Sequence, residues 1–388
     1  MSVYLDHAAT TTLRPHAAQA WLETAQYTAN ASSTHRSGQH QRRILEEARE
    51  KIAAHLDCEP IEVIFTSGGT ESINLALTGL SNSTAPIIVM PDGEHRATID
   101  TVAALAARGA TVRQVPLTPS GAIDTAAFSR ALPDATVATA VIANNEVGTI
   151  NDAAVLSAAA AEHGVPLHFD AVGAVGVVPL SFRALRGDAA AATGLVAMSI
   201  AGHKLGAPVG TGALVAARTA KISALMHGGG QQRGLRPGTS DVAGAVALSV
   251  ALDEAMREQE AEGARLRSLR DELIAGVMRA VPSARLLGDA HERLPGNAHF
   301  LFPDAPSESL LFLLDLADIS ASAGSACQAG VAEPSHVVTA MGYSDAQARS
   351  VVRFTLGHTS TRGDVEALVA AIGPAYSQAS GALRRQQT

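Results

Sequence analysis

The chain has 388 residues, 47% of them hydrophobic, and its 37 acidic against 29 basic side chains leave a net charge of −8. Two domains or one large α/β unit are expected at this length, and an acidic balance without blocks of like charge argues against DNA or RNA as a direct ligand. The start, "MSVYLDHAATTTLRP", lacks the basic residues and apolar core of a signal peptide, and no uncharged apolar stretch reaches membrane-spanning length.

Strand-like and helix-like patterns alternate through the first two thirds of the chain. "IEVIFTS" (61–67) predicts a buried strand and "ESINLALTGL" (71–80) a helix. The strand "PIIVM" (86–90), the helix "ATIDTVAALAARG" (97–109) and the strand "TVRQV" (111–115) follow. "TVATAVIA" (136–143) precedes a helix around "DAAVLSAAAAEHG" (152–164), and then come the strands "VPLHFD", "GLVAMSI" and "GALVAA". Such alternation implies an α/β fold with a mostly parallel sheet between helices, its strand C-termini gathered along one edge. From about Ser240 a long amphipathic helix is expected to lead into a smaller α+β C-terminal domain with strands near "GNAHFLF" and "VVRFTLG". The tail "SGALRRQQT" is expected to be frayed.

Ligands of open α/β sheets bind at the C-terminal edge. Five predicted strands run into suggestive turns: "TSGGTES", "GEHRA", "NNEVG", "DAVGAVG" and "AGHKLG". Gly69 and Thr70 stand where a helix N-terminus could cradle a phosphate, although a plain helix cap explains the turn as well. Asp170 ends a strand and could hold a cationic ring nitrogen or cap the next helix. His95 is one of 14 histidines, and Asn144 and Asn145 suit a turn as readily as a ligand.

Lys204 shifts the balance. The chain has three lysines, Lys51, Lys204 and Lys221, and arginine fills nearly every other cationic position. A lysine between a histidine and glycines does what arginine cannot, because an ammonium can lose its proton when desolvated. An amine, a strand-end carboxylate and a phosphate cradle are the needs of pyridoxal phosphate. Cys58 and Cys327, the two cysteines, lie far apart, which leaves no disulfide framework and makes a reducing cytoplasm the simplest setting. CxxC and HExxH zinc spacings are missing. Cys327, among small residues in "SASAGSACQAG", suits tight packing or a presented thiol equally.

Taken together, "YLDHAATT", "NASSTHRSG", "EVIFTSGGTESINLA", "EHRATIDT", "NNEVGTI", "HFDAVGAVG", "GHKLGAPVGTGAL", "HGGGQQRGLRPGT", "GSAC", "EPSHV" and "VRFTLG" resemble the cysteine desulfurases of the class V aminotransferase group over nearly the whole chain. The resemblance implies the fold of type I pyridoxal-phosphate transferases. A large domain (15–255) would hold a seven-stranded-type sheet, and a small one (1–14 and 256–388) the cysteine and an arginine. Lys204 matches the lysine that forms the aldimine with the cofactor and moves protons at the substrate. Asp170 matches the partner of the ring nitrogen, and His95 the histidine over the ring. Gly69, Thr70 and His203 match phosphate contacts, with Thr239 supplied by the other subunit of a homodimer. Asn145 and Arg353 match the groups that hold the substrate carboxylate. Cys327 matches the nucleophile that takes sulfur from L-cysteine, leaving alanine and a persulfide for an acceptor protein. The acceptor class stays open among iron–sulfur scaffolds, tRNA thiolation proteins and DNA phosphorothioation assemblies.

Three positions depart from the family pattern. Gly173 stands where glutamine usually bonds the ring hydroxyl, Ala201 where serine contacts phosphate, and Ala31 where proline is usual. The first two imply weaker cofactor retention or slower turnover. The rivals are a selenocysteine lyase or another aminotransferase-like enzyme of the same cofactor class, and a catalytically weak scaffold in a sulfur-transfer complex.

Overall fold

A computed structural model describes residues 2–324 and 333–386. The chain opens with β1 (Val3–Tyr4) and two helices, α1 (Pro15–Ala25) and α2 (Arg36–Leu56). Strands and helices then alternate: β2 (Val63–Thr66), α3 (Gly69–Leu80), β3 (Ile87–Pro91), α4 (Arg96–Ala106), β4 (Thr111–Val115) and α5 (Thr125–Ala131). The run continues through β5 (Val137–Val141), α6 (Ala153–Glu162), β6 (Pro166–Asp170), α7 (Phe182–Arg186), β7 (Gly194–Ala201) and β8 (Gly212–Ala216). The last third holds α8 (Val242–Ala280), β9 (Arg285–Leu287), β10 (Asn297–Leu301), α9 (Ser307–Asp315) and β11 (Ile319–Ser320), then α10 (His336–Ala340), α11 (Asp345–Ala348), β12 (Val351–Thr355) and α12 (Arg362–Gln386).

The principal sheet has seven strands in the order β2-β8-β7-β6-β5-β3-β4. Only β8 runs against its neighbours; the other pairings are parallel. The strands β2, β3, β5, β6 and β7 therefore share a direction, and the five turns after them open on one edge. Continuous apolar sequence explains why the central strands are covered on both faces: all eight residues of β7 are buried. Aspartates start three of the helices. Asp124, Asp152 and Asp241 accept from the backbone N–H three residues on, at 2.8, 3.0 and 2.8 Å, which satisfies donors that a helix start leaves free.

The long α8 runs through two cores. Leu248, Ala251, Leu252 and Ala255 pack with the principal sheet. Leu266, Leu269, Leu273 and Val277 pack instead with Phe300, Phe354, Leu368 and Ile372, under a three-stranded sheet ordered β12-β10-β9. Val3 and Leu5 join this second core, because β1 pairs in parallel with β11. The opposite face of β10 and β12 carries Leu301 and Val351 into a third cluster with Val147, Val338 and Met341. That face also bears Arg353, which is how a residue of the second sheet meets the edge of the first.

Two features differ from the sequence-based expectation. As far as Gln386 the tail continues the helix α12. The helix α2 was not expected, although Leu45, Ala48, Ile52 and Leu56 form a buried stripe at helical spacing; its polar, glycine-containing first turns hide the pattern. Among the described residues no helix is long and apolar enough to cross a membrane.

Leu273 is fully buried in the second core while Met278, on the same helix, is exposed. Leu273→Ala is expected to cost about 2–5 kcal/mol, read as a lower urea midpoint, and Met278→Ala to stay within about 0.5 kcal/mol of the parent.

Candidate active site

The sheet edge opens into a cavity of about 510 Å³. Its wall is assembled from the expected turns. The β2–α3 turn supplies Gly69 and Thr70, β3–α4 supplies His95, the turn after β5 supplies Asn145, β6 ends in Asp170, and β7 leads to His203 and Lys204. Arg353 reaches the same cavity from β12. Thr239 is exposed and does not line it. Cys327 lies outside the described residues; Ser322 and Gly324, shortly before it, are on the cavity wall.

Lys204 sits in the single helical turn that ends β7. Its Nζ donates to the carbonyl of Ala8 and, at 2.8 Å, to that of Ala9. Burial lowers its pKa to about 8; Arg353 pushes the same way, and Asp6 and Asp170 oppose. Asp170 is 3% exposed, and one of its oxygens accepts from Val172 N–H at 2.9 Å. Burial raises its pKa, so a cation placed against it would favour the charged form.

His95 caps α4. Its Nδ1 accepts from Ala97 N–H at 3.1 Å, which places the ring proton of the neutral form on Nε2. The side chain is open to the cavity, but protein surrounds it on the other sides. That desolvation lowers its pKa, with Asp170 pulling the other way. Burial pushes His203 down to about 4, so this histidine too is neutral near pH 7. The two asparagines separate cleanly. Asn144 closes its own turn, accepting from Glu146 and Val147 N–H at 2.9 and 3.0 Å and donating to Gly93 O at 2.9 Å. Asn145 lines the cavity, and its carbonyl accepts from Arg353 at 2.7 Å.

Sequence reasoning missed the groups behind this wall. Glu94 is fully buried, accepts from Val141 N–H at 2.7 Å, and is pushed up to about 8 by burial and by Asp170. His168, two residues before Asp170, is buried between Thr139 and Ser199 hydroxyls at 3.0 and 2.7 Å, and burial holds it near 3. The signal for Glu94 was its place beside His95, and for His168 a polar residue within an apolar strand. Asp6, inside the first motif, pairs with Arg353 at 2.8 Å. Cys58, by contrast, is an inert core thiol whose pKa burial pushes to about 12.

The family profile "Aminotransferase class-V" matches residues 3–368. An IscS-like cysteine desulfurase of Mycobacterium tuberculosis is 46% identical, over 97% of this chain and 96% of its own length. The chain belongs to the cysteine desulfurase family. The cysteine desulfurase NifS of Azotobacter vinelandii is 35% identical over 97% of this chain and 93% of its own. Among solved structures, a NifS-like protein superposes with a TM-score of 0.89 at 28% identity, covering 97% of this chain and all (100%) of that one. DndA from Streptomyces lividans superposes with a TM-score of 0.75 at 33% identity, covering 91% and 99%.

Cysteine desulfurases are pyridoxal-phosphate enzymes, and the residues present fit that group. A buried carboxylate that a cation would stabilise stands on the same wall as an amine of lowered pKa. At the start of α3 a Cβ on Gly69 would lie 2.7 Å from Val172 Cγ2, so glycine is what lets helix and loop close here beside the cavity. Of the three departures, Gly173 and Ala201 line the cavity, whereas Ala31 is buried in the main core. Ala201 is 2% exposed, and a Cβ on Gly173 would come within 3.2 Å of Ala143 O, so a side chain there requires that carbonyl to give slightly.

Amine-directed labelling of Lys204 in the cofactor-free protein is expected to be half-maximal near pH 8, followed by peptide mass spectrometry. The folded value lies below the unfolded one, so the unfolded chain holds the extra proton from about pH 8 to about 10.4, and this group's contribution to stability rises with pH through that window.

Proposed function

We propose that the chain takes the sulfur of L-cysteine, releases L-alanine and carries the sulfur as a persulfide on Cys327 to an acceptor protein. The observation that supports this most is convergence: Lys204, Asp170, His95 and Arg353 share one cavity, and Ser322 and Gly324, which precede Cys327 in the sequence, line it too.

Pyridoxal phosphate, when bound, supplies the electron sink that acidifies the substrate Cα–H and weakens its Cβ–S bond. Lys204 would carry it through Nζ, and the lowered pKa leaves that amine able to take the Cα proton near neutral pH. Asp170 would hold the proton on the ring nitrogen. His95, neutral with its proton on Nε2, lines the same cavity and would serve the cofactor as an acid/base. Gly69, Thr70 and His203 would hold the phosphate, with Thr239 reaching it from the other subunit of a homodimer; its exposure here agrees with such a role. Asn145 and Arg353 would bind the substrate carboxylate, where the guanidinium fork suits two oxygens. The Cys327 thiolate attacks the substrate sulfur. An S–S bond forms, the C–S bond breaks with its electron pair left on carbon, and a proton completes alanine. Sulfur is oxidised and carbon reduced, so no outside oxidant is needed until a reductant or acceptor takes the sulfur.

Alanine release from L-cysteine with a reductant is expected to fall about a hundredfold or more in Cys327→Ala, with the cofactor's absorbance retained. Equal alanine from both would remove Cys327 from the reaction. Gly173→Gln is expected to tighten cofactor binding about two- to tenfold, the worth of one hydrogen bond, measured as cofactor lost on dialysis.

A further inference from the structure

The N-terminal motif "YLDHAATT" has no part in the reaction as described, yet it touches both cations that the reaction uses. It is a turn closed on itself and pinned to β12. The Tyr4 hydroxyl lies 2.8 Å from Thr10 O and 3.1 Å from Asp6 O, Ala9 N–H donates to Asp6 O at 3.0 Å, and Ala8 N–H donates to Thr355 Oγ1 at 2.9 Å. From this turn the Ala8 and Ala9 carbonyls accept from Lys204, and Asp6 Oδ1 accepts from Arg353 Nη2 at 2.8 Å. On its other terminal nitrogen, Nη1, Arg353 donates to Asn145 O at 2.7 Å. The guanidinium is thus held at two corners by two separate elements, with its side chain 4% exposed. Each terminal nitrogen carries two N–H groups, so one remains on each after these bonds.

We propose that Asp6 is a positioning residue that fixes the Arg353 guanidinium so that its remaining N–H groups meet the α-carboxylate of the substrate. The inference rests on the reading of Arg353 as the carboxylate-binding group. Without Asp6 the guanidinium keeps a single anchor and can rotate about it, and the fork is no longer preformed when substrate arrives. The loss falls only on ligands that carry a carboxylate.

The test uses the cofactor-loaded enzyme and two ligands: L-cysteine, and cysteamine, which has the same thiol and amine without the carboxylate. The KM for L-cysteine, its kcat and the inhibition constant of cysteamine are measured for the parent, Asp6→Ala, Asp6→Asn and Arg353→Ala. Asp6→Ala is expected to raise KM about tenfold, with kcat changed less than about threefold and cysteamine inhibition unchanged. Asp6→Asn keeps an acceptor oxygen without the charge and should fall between it and the parent; if Asp6→Ala does not fold, a KM rise confined to L-cysteine in Asp6→Asn carries the test. Parallel weakening of both ligands in the Asp6 variants would make Asp6 a structural residue and overturn the proposal. So would an unchanged KM, and so would a lowered one, which would mean that Asp6 competes with the substrate. If Arg353→Ala itself leaves KM unchanged, the carboxylate reading of Arg353 fails first; if Arg353→Ala raises it and the Asp6 variants do not, only the role of Asp6 fails.

Discussion

The desolvation of Lys204 is the constraint on which the site depends. A free amine near neutral pH requires that water be kept from the ammonium, but a buried N–H donor also needs acceptors. The Ala8 and Ala9 carbonyls meet that need, so the N-terminal turn has to lie against the end of β7. Arg353 comes with the same turn and pushes the amine further toward neutrality, while Asp6 and Asp170 oppose that push with their negative charge. The pKa of one lysine is thus a property of residues drawn from both ends of the chain.

The fold supplies those residues by two devices. Parallel strands bring five turns to one edge, where their side chains face one space rather than five. The long α8 then joins two hydrophobic cores, and the second core is the platform that aims β12 at the edge of the first sheet. Packing on one face of β12 and polar contact on the other are the two sides of a single strand: Val352 and Phe354 anchor it, and Arg353 acts.

Much of this was legible before the structure. Apolar runs ended by glycine-rich turns mark strands of a parallel sheet, and the rarity of lysine singled out position 204. Asp170 and His95 were visible because they follow strand signals directly. What stayed hidden depends on distance along the chain or on a choice between neighbours. Asp6 acquires its role from a residue 347 positions away, which no local pattern encodes. Asn144 and Asn145 are the same residue type side by side and could not be told apart by type; the family resemblance singled out Asn145, and the turn geometry shows the first closing the loop and the second lining the cavity. The helix α2 was obscured by a polar start, and the tail by its charge, although α12 has the rest of its length packed on the second core.

The pairing of Asp6 with Arg353 also ties the first residues of the chain to its last strand. A ribosome delivers the principal sheet, with Lys204 included, well before it delivers β12. Until that last strand docks, the push that Arg353 adds to burial at the amine is missing, and the N-terminal turn lacks its anchor on Thr355. A chain that ends before β12 therefore lacks one of the two contributions that lower the Lys204 pKa.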